Sequence, residues 1–207
     1  MDQKDVAVSK DGKNQKGEMK NTVLLYLHDF VTWLVAILLI FLLLFRVVVV
    51  SGPSMNQTLL HGDYLLLINN VFYREPQKGD IVVISKDAYK DGEPIIKRVI
   101  ATEGQWVDID FGQGIVYVNG NALDEPYVNT PTNIEEGVFF PLQVADGCVF
   151  VLGDNRNSSK DSRSLEIGQI DKREILGKAI FLFMPGKDED TQKMNFKRIG
   201  ALSYNGK

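Results

Sequence analysis

Hydrophobic positions along this chain follow two regimes. Phe30 to Phe45 is a run of sixteen residues in which Thr32 is the only clearly polar side chain, and Val47-Val48-Val49-Val50 extends it past Arg46. Taken as one helix, Phe30 to Val50 is about 31 Å long at ~1.5 Å per residue, the thickness of a bilayer core. Alternatively the helix starts nearer the N-terminus, where Val23–Leu27 is apolar, and Arg46 snorkels to the head groups. The β-branched valines then leave the membrane as an extended strand. The second version is preferred and places a transmembrane anchor over residues 23–46. The run is long for a buried core helix. A cleaved leader would end at a small-x-small site, for which Ser51-Gly52-Pro53-Ser54 is an awkward context.

Residues 1–20 carry five lysines against Asp2, Asp5, Asp11 and Glu18, without apolar periodicity, and are expected to lack structure. Acids count little in the positive-inside rule. Residues 1–22 are therefore expected to be a cytoplasmic tail, with the rest of the chain beyond the anchor outside the cell membrane.

The second regime is short apolar stretches separated by turn signals: Tyr64–Ile68, Ile81–Ile84, Ile95–Ala101, Trp106–Ile109, Ile115–Val118, Val149–Leu152 and Ile175–Met184. Asn119-Gly120 between Val116-Tyr117-Val118 and Ala122-Leu123 is a hairpin signal. No long amphipathic helix follows the anchor, although Asp161–Glu174 has room for a helical turn. Many short strands with close turns predict a mainly β domain over residues 47–185, of barrel or closed-sandwich type. Residues 186–207, with Asp188-Glu189-Asp190, read as a solvated tail.

Bulk properties narrow the choice of function. The 207 residues carry a formal net charge of −4, so nothing in the bulk suggests nucleic acid as a partner. One cysteine excludes an intramolecular disulfide, and Cys148, in Gly147-Cys148-Val149, reads as a small buried strand residue. With two histidines and one cysteine a zinc site is not expected, and no cofactor or metal is called for.

Three segments could carry chemistry. Ser54 stands in Ser51-Gly52-Pro53-Ser54-Met55, where Gly and Pro hold a tight, non-helical backbone. By itself such a serine is usually a turn residue. In Ile95-Ile96-Lys97-Arg98-Val99-Ile100, strand alternation puts Lys97 on one face with Ile95 and Val99. A lysine between two β-branched residues is either desolvated, which lowers its pKa from ~10.4 and makes a neutral base available, or snorkels from an edge strand. Gly153 to Arg163 is dense in turn formers and hydrogen-bonding groups. It reads as a surface loop or as a layer that fixes the base, with Ser158 or Ser159 on the amine and Asp161 paired with Arg163.

Taken together and in this order, the segments resemble the bacterial type I signal peptidases of the Gram-positive kind, with one N-terminal anchor. Ser51-Gly52-Pro53-Ser54-Met55-Asn56-Gln57-Thr58-Leu59 resembles the nucleophile box. Gly62-Asp63-Tyr64-Leu65-Leu66-Leu67 resembles the next box. Gly79-Asp80-Ile81-Val82-Val83 and Ile96-Lys97-Arg98-Val99-Ile100 resemble the base-bearing region. Gly153-Asp154-Asn155-Arg156 through Ser159, Asp161, Ser162 and Arg163 resembles the last.

The resemblance implies a signal-peptidase/LexA-like β-barrel-type catalytic domain and a Ser/Lys dyad. Ser54 would be the nucleophile and Lys97 the general base. The Ser54 N–H would stabilise the oxyanion, Ser159 would orient the lysine, and Asp161 and Arg163 would stand behind it as a structural pair. Met55 would pack beneath the nucleophile. The implied substrates are signal peptides of secreted preproteins, cut after Ala-x-Ala, with the lipid bilayer as the other partner. Two positions depart from the family pattern. Gln57 replaces the usual Pro, and Gly52 stands where some members place an oxyanion-stabilising serine, which leaves the second donor open.

The nine positions from Phe45 to Ser54 reach at most ~30 Å, so the nucleophile would lie near the outer membrane surface. Substrate is expected to add a strand beside Val47–Ser51 or Ile95–Lys97, with Ile84 and Val99 as pocket walls. The rival readings are a LexA-like autoprotease, an inactive tethered β domain that binds exported peptides, and a Ser-His-Asp hydrolase using His61. The anchor, the retention of Ser54, Lys97 and Ser159 together, and the turn context of His61 argue against each in turn.

Overall fold

The computed structural model describes residues 3–87, 89, 92–188 and 191–202, with the backbone course alone for residues 3–21. Two compact units result, divided after Leu43. The first is a single helix, α1 (Gln3–Leu44). Its Thr22–Leu44 segment is 23 residues long with a mean hydropathy of 2.4, and none of that apolar surface is buried by protein. At ~1.5 Å per residue this is about 34 Å, enough to cross a bilayer. The polar lead-in expected to lack structure is helical instead. Its Lys, Gln, Glu and Ala residues are good helix formers, and they continue an already nucleated helix.

The helix stops at Leu44 and the chain turns into strand β1 (Phe45–Val49), as the preferred reading of the valine run expects. Next come β2 (Tyr64–Asn69), β3 (Ile81–Ile84), β4 (Ile95–Thr102), β5 (Trp106–Asp110), β6 (Ile115–Val118) and β7 (Asn121–Ala122). The remaining strands are β8 (Leu142–Gln143), β9 (Cys148–Leu152), β10 (Ile170–Asp171), β11 (Ile175–Met184) and β12 (Gly200–Ala201). The domain is mainly β. An eight-stranded antiparallel sheet runs β1-β2-β11-β3-β4-β9-β10, with β12 added beside β11, and a four-stranded sheet runs β7-β6-β5-β8.

The large sheet is bent by register shifts in β11 and between β4 and β9. Three strands separate β1 from β4 in the order, yet side chains of both line one groove. The sheet is therefore curled into a half-barrel. Its central strands are buried on both faces. Ile81 and Val83 of β3 pack with Met55 and Leu65, whereas Val82 and Ile84 pack with Val99 and Val151. A third cluster, including Ile100, Val107 and Phe150, joins the two sheets.

The C-terminal segment expected to be a solvated tail folds back onto the domain. Among its described residues β12 pairs with β11, and Leu202 packs against the cluster around Met55 and Leu65. Its polar composition hides these few anchoring points. Cys148 is only half-buried, and burial, then the nearby Asp171 carboxylate, pushes its thiol upward, which keeps it unreactive.

Arg98 ties β4 to the loop after β9. Its Nε donates to Asp154 Oδ1 (2.8 Å), its Nη2 to Asp154 Oδ2 (2.6 Å), and its Nη1 to the Gly79 carbonyl (3.0 Å). Both side chains are essentially inaccessible to solvent. Removing one partner leaves an uncompensated buried charge. Arg98→Met is expected to destabilise the domain by about 3–5 kcal/mol, read from thermal or urea unfolding of the detergent-solubilised chain.

Candidate active site

Ser54 sits in the loop joining β1 to β2. Positive φ at Gly52 (+83°) followed by Pro53 turns the chain away from the strand direction. The loop is closed at its base by Val50 N–H to the Asp63 carbonyl (2.8 Å) and Gly62 N–H to the Val50 carbonyl (2.9 Å). Met55 points the other way from Ser54, is 1% exposed and anchors the loop in the core, as expected. The Ser54 carbonyl accepts the Asn155 N–H (3.0 Å), and Asn155 Nδ2 donates to the Pro53 carbonyl (3.1 Å).

Lys97 lies in mid-strand on β4, opposite Val82 of β3. Its side chain is 3% exposed, and its amine stands 2.8 Å from Ser54 Oγ while donating to the Ile96 carbonyl (3.0 Å). The structure thus joins the two residues 43 positions apart that the sequence marks as nucleophile and base. His61, the candidate for a Ser-His-Asp arrangement, is occupied elsewhere, its Nδ1 lying 3.3 Å from the Gly52 nitrogen.

Behind the pair stands the expected Asp161–Arg163 couple, both fully buried. Arg163 Nε donates to Asp161 Oδ1 (2.8 Å) and Nη2 to Oδ2 (2.9 Å). Arg163 also donates to the carbonyls of Arg156 (2.6 Å) and Ile134 (3.1 Å), and Asp161 Oδ2 accepts the Gly153 N–H (3.0 Å). Glu136 lies beside this couple, and burial, then the Asp161 carboxylate, pushes its carboxyl above the usual range.

Two expectations need correction. Ser159 is 6% exposed and adjoins the site, but its hydroxyl makes no hydrogen bond among the described residues, so the bond to Lys97 is not formed. Ile84 and Val99 are not pocket walls. Both are 0% exposed and packed into the sheet's far-side cluster. Strand alternation identifies which residues share a face but not which face borders a groove. The walls are instead Val48, Val49, Pro94 and Ile95, in a groove of about 380 Å³ with Ser54 and Lys97 at its floor and Ser158 and Lys160 along one side.

Sequence reasoning quoted Gly153 and Asp154 within a motif but gave neither a role, and it passed over Glu125. A Cβ at Gly153 would stand 2.1 Å from Ser159 Oγ and 2.6 Å from the Ser54 carbonyl oxygen, so only glycine lets the loop approach Ser54. Glu125 receives the buried Arg156 guanidinium. Burial is the largest influence and works against that charge, but the hydrogen bonds and charge of Glu125, with Tyr127 and Asp154 nearby, together outweigh it and hold the group above its ordinary value. Buried Tyr127 stacks on Arg98, 3.9 Å from ring centre to guanidinium carbon. The glycine and the charged residues at 98, 154 and 156 were visible in the motifs. Their partners are distant in sequence, and no local pattern reveals those. Among the described residues no group of three or more His, Cys, Asp or Glu side chains is placed to hold a metal.

Comparison with known proteins places this geometry. The family model described as signal peptidase, peptidase S26, matches residues 23–184. The chain belongs to that family. Signal peptidase I of Bacillus licheniformis is 34% identical over 174 residues, covering 80% of this chain and 91% of the relative. Signal peptidase I S of Bacillus subtilis is 34% identical over 182 residues, covering 84% and 95%. Probable signal peptidase I-1 of Synechocystis is 38% identical over 162 residues, covering 73% and 79%. A solved signal peptidase I from Enterococcus faecalis, 29% identical, covers 50% of this chain and 96% of its own, with a TM-score of 0.41. As a family member the chain is a serine peptidase, and its apolar helix makes it a membrane-anchored one.

The close approach at Gly153 yields a test. Gly153→Ala is expected to push Ser159 and the Ser54 carbonyl apart and lower cleavage activity by about 10²-fold, the order expected for ångström-scale misplacement. Overpacking should cost the fold only about 1–3 kcal/mol, so parallel activity and melting measurements separate the two effects.

Proposed function

We propose that this signal peptidase cuts exported preproteins with a Ser54/Lys97 dyad, after small residues of the Ala-x-Ala type, on the outer face of the membrane. The observation that carries the dyad is the 2.8 Å approach of the Lys97 amine to Ser54 Oγ, with the lysine 3% exposed. Loss of hydration disfavours the ammonium form. The neutral amine takes the hydroxyl proton as Ser54 attacks the scissile carbonyl. It then returns that proton to the leaving amine, and the acyl-enzyme is hydrolysed by water.

The Ser54 N–H has no acceptor among the described residues, which suits it to the oxyanion. The Gly52 N–H faces His61 and is not the second donor in this arrangement. Substrate lies extended in the groove between β1 and β4, pairing with main-chain groups. The apolar walls at Val48 and Ile95 favour short aliphatic side chains. Asp161, Arg163 and Gly153 act by holding the loop that flanks Ser54. Nine residues lie between the helix end at Leu44 and Ser54, which keeps the reaction close to the membrane surface where a translocated signal peptide ends. Residues 1–22 are then the cytoplasmic tail.

Incubating the detergent-solubilised chain with a preprotein bearing an Ala-x-Ala site tests the reading. Ser54→Ala and Lys97→Ala are each expected to lower cleavage by ~10³-fold or more without unfolding the domain, as for other nucleophile and base deletions. Near-normal activity in Lys97→Ala would show that the base lies elsewhere. The pH–rate profile gives a second test. A protonated amine cannot act as base, so activity should rise with pH through a group titrating well below the ~10.4 of free lysine. A profile that climbs only above about pH 10 contradicts a desolvated base.

A further inference from the structure

The C-terminal residues 186–202 lie beyond the stretch matched by the family model, which ends at 184, and no step above uses them. They are nevertheless fastened to the loop that presents Ser54. Gly186 crosses this loop so closely that a Cβ there would stand 2.2 Å from the His61 carbonyl oxygen and 2.9 Å from the Asp63 nitrogen. Its N–H donates to Asp63 Oδ1 (2.7 Å). Arg198 then forks onto the same carboxylate, 2.8 Å to Oδ1 and 2.6 Å to Oδ2, and also donates to the Thr58 carbonyl (3.2 Å). Past Arg198, the Leu202 N–H bonds the Ile180 carbonyl (2.9 Å), so the segment is held on both sides of the arginine.

Asp63 is 0% exposed and is the residue that closes the nucleophile loop. Its Oδ2 accepts the Leu60 N–H (2.7 Å) and its carbonyl accepts the Val50 N–H (2.8 Å), four residues before Ser54. Thr58, on the other side of Ser54, donates to Asp154 Oδ2 (2.6 Å), the carboxylate that Arg98 grips beside Lys97. A planar guanidinium on a buried carboxylate fixes position as well as charge.

We infer that the described residues of the C-terminal segment, 186–188 and 191–202, form a clasp and that Arg198 is a positioning residue for the nucleophile, acting through Asp63 to hold the 50–63 loop against Lys97. The inference rests on the reading of Ser54 and Lys97 as nucleophile and base. Neither Gly186 nor Arg198 lines the groove. Loosening the clasp therefore displaces Ser54 from the amine and leaves the walls that bind substrate in place.

The test uses the full chain in detergent micelles and a peptide substrate with a small-x-small cleavage site. It compares Arg198→Ala, Arg198→Lys and Gly186→Ala with the parent chain. Folded fraction is read by circular dichroism, and kcat and KM are taken across pH. Arg198→Ala should lower kcat per folded molecule about tenfold or more, with KM within about twofold, because misplacement acts on the reacting geometry. Arg198→Lys should restore part of the loss. Gly186→Ala should reproduce the defect without changing any charge. If Arg198→Ala does not fold, the other two variants carry the same readout. A kcat per folded molecule within about twofold of the parent, or a loss confined to KM or to the folded fraction, overturns the clasp. Ser54→Ala and Lys97→Ala run alongside. If either stays active, the dyad reading fails. If both are inactive while the clasp variants are normal, only the clasp fails.

Discussion

The rest of this structure depends on keeping one lysine amine out of water beside a serine hydroxyl. Stripping hydration from an ammonium is costly, so the neutral amine that the proposed mechanism requires depends on surroundings that exclude solvent and hold the partner in place. Lys97 meets the first condition by standing in mid-strand within a sheet buried on both faces. The second condition falls on the loop carrying Ser54, which has no regular structure of its own. Its position comes from Met55 in the core, Asn155 on the Ser54 carbonyl, and the closure between Val50 and Asp63.

The arginines explain how so polar a loop region remains rigid. Arg98, Arg156 and Arg163 are among the largest fully buried side chains, and each is matched to a carboxylate: Asp154, Glu125 and Asp161. Such pairs contribute little net stability over an apolar core, because desolvation offsets most of the attraction. What they supply is placement. Arg163 alone gathers the carbonyls of Arg156 and Ile134, and Asp161 holds the Gly153 N–H where an alanine Cβ would strike the Ser54 carbonyl. An apolar replacement could fill the same volume but could not direct three main-chain groups at once.

This division of labour also decides what was legible in the sequence. The longer strands announce themselves through β-branched runs ended by turn residues. The valine run, broken by Arg46, marks the change from helix to strand. Strands β8, β10 and β12 are two residues each, too short to show any period, and exist because neighbouring strands offer partners. Ser54, Lys97, Asp161 and Arg163 are legible because their motifs are local. The partners of Arg156, Asp63 and Asp154 are not, since Glu125 is 31 positions from Arg156, Arg198 is 135 from Asp63, and Arg98 is 56 from Asp154. Composition misled at both ends of the chain. A polar segment can be helical when it extends a formed helix, and a polar tail can be held by one arginine on one buried carboxylate.

The sheet's two edges differ in a way that bears on function. An exposed strand edge invites pairing with another chain and is normally shortened or covered. At one end of the large sheet this rule is kept, for β10 is only two residues long. At the other end β1 is five residues, with Val47 55% and Val49 47% exposed, and it borders the groove above Ser54. β2 pairs with only one side of the β1 main chain, since β1 is the last strand in the order. A long apolar edge left open beside Ser54 is a liability unless another chain covers it, which is what the proposed function requires of an extended peptide. Because β1 is continuous with the helix through Phe45, that open edge begins where the apolar segment ends.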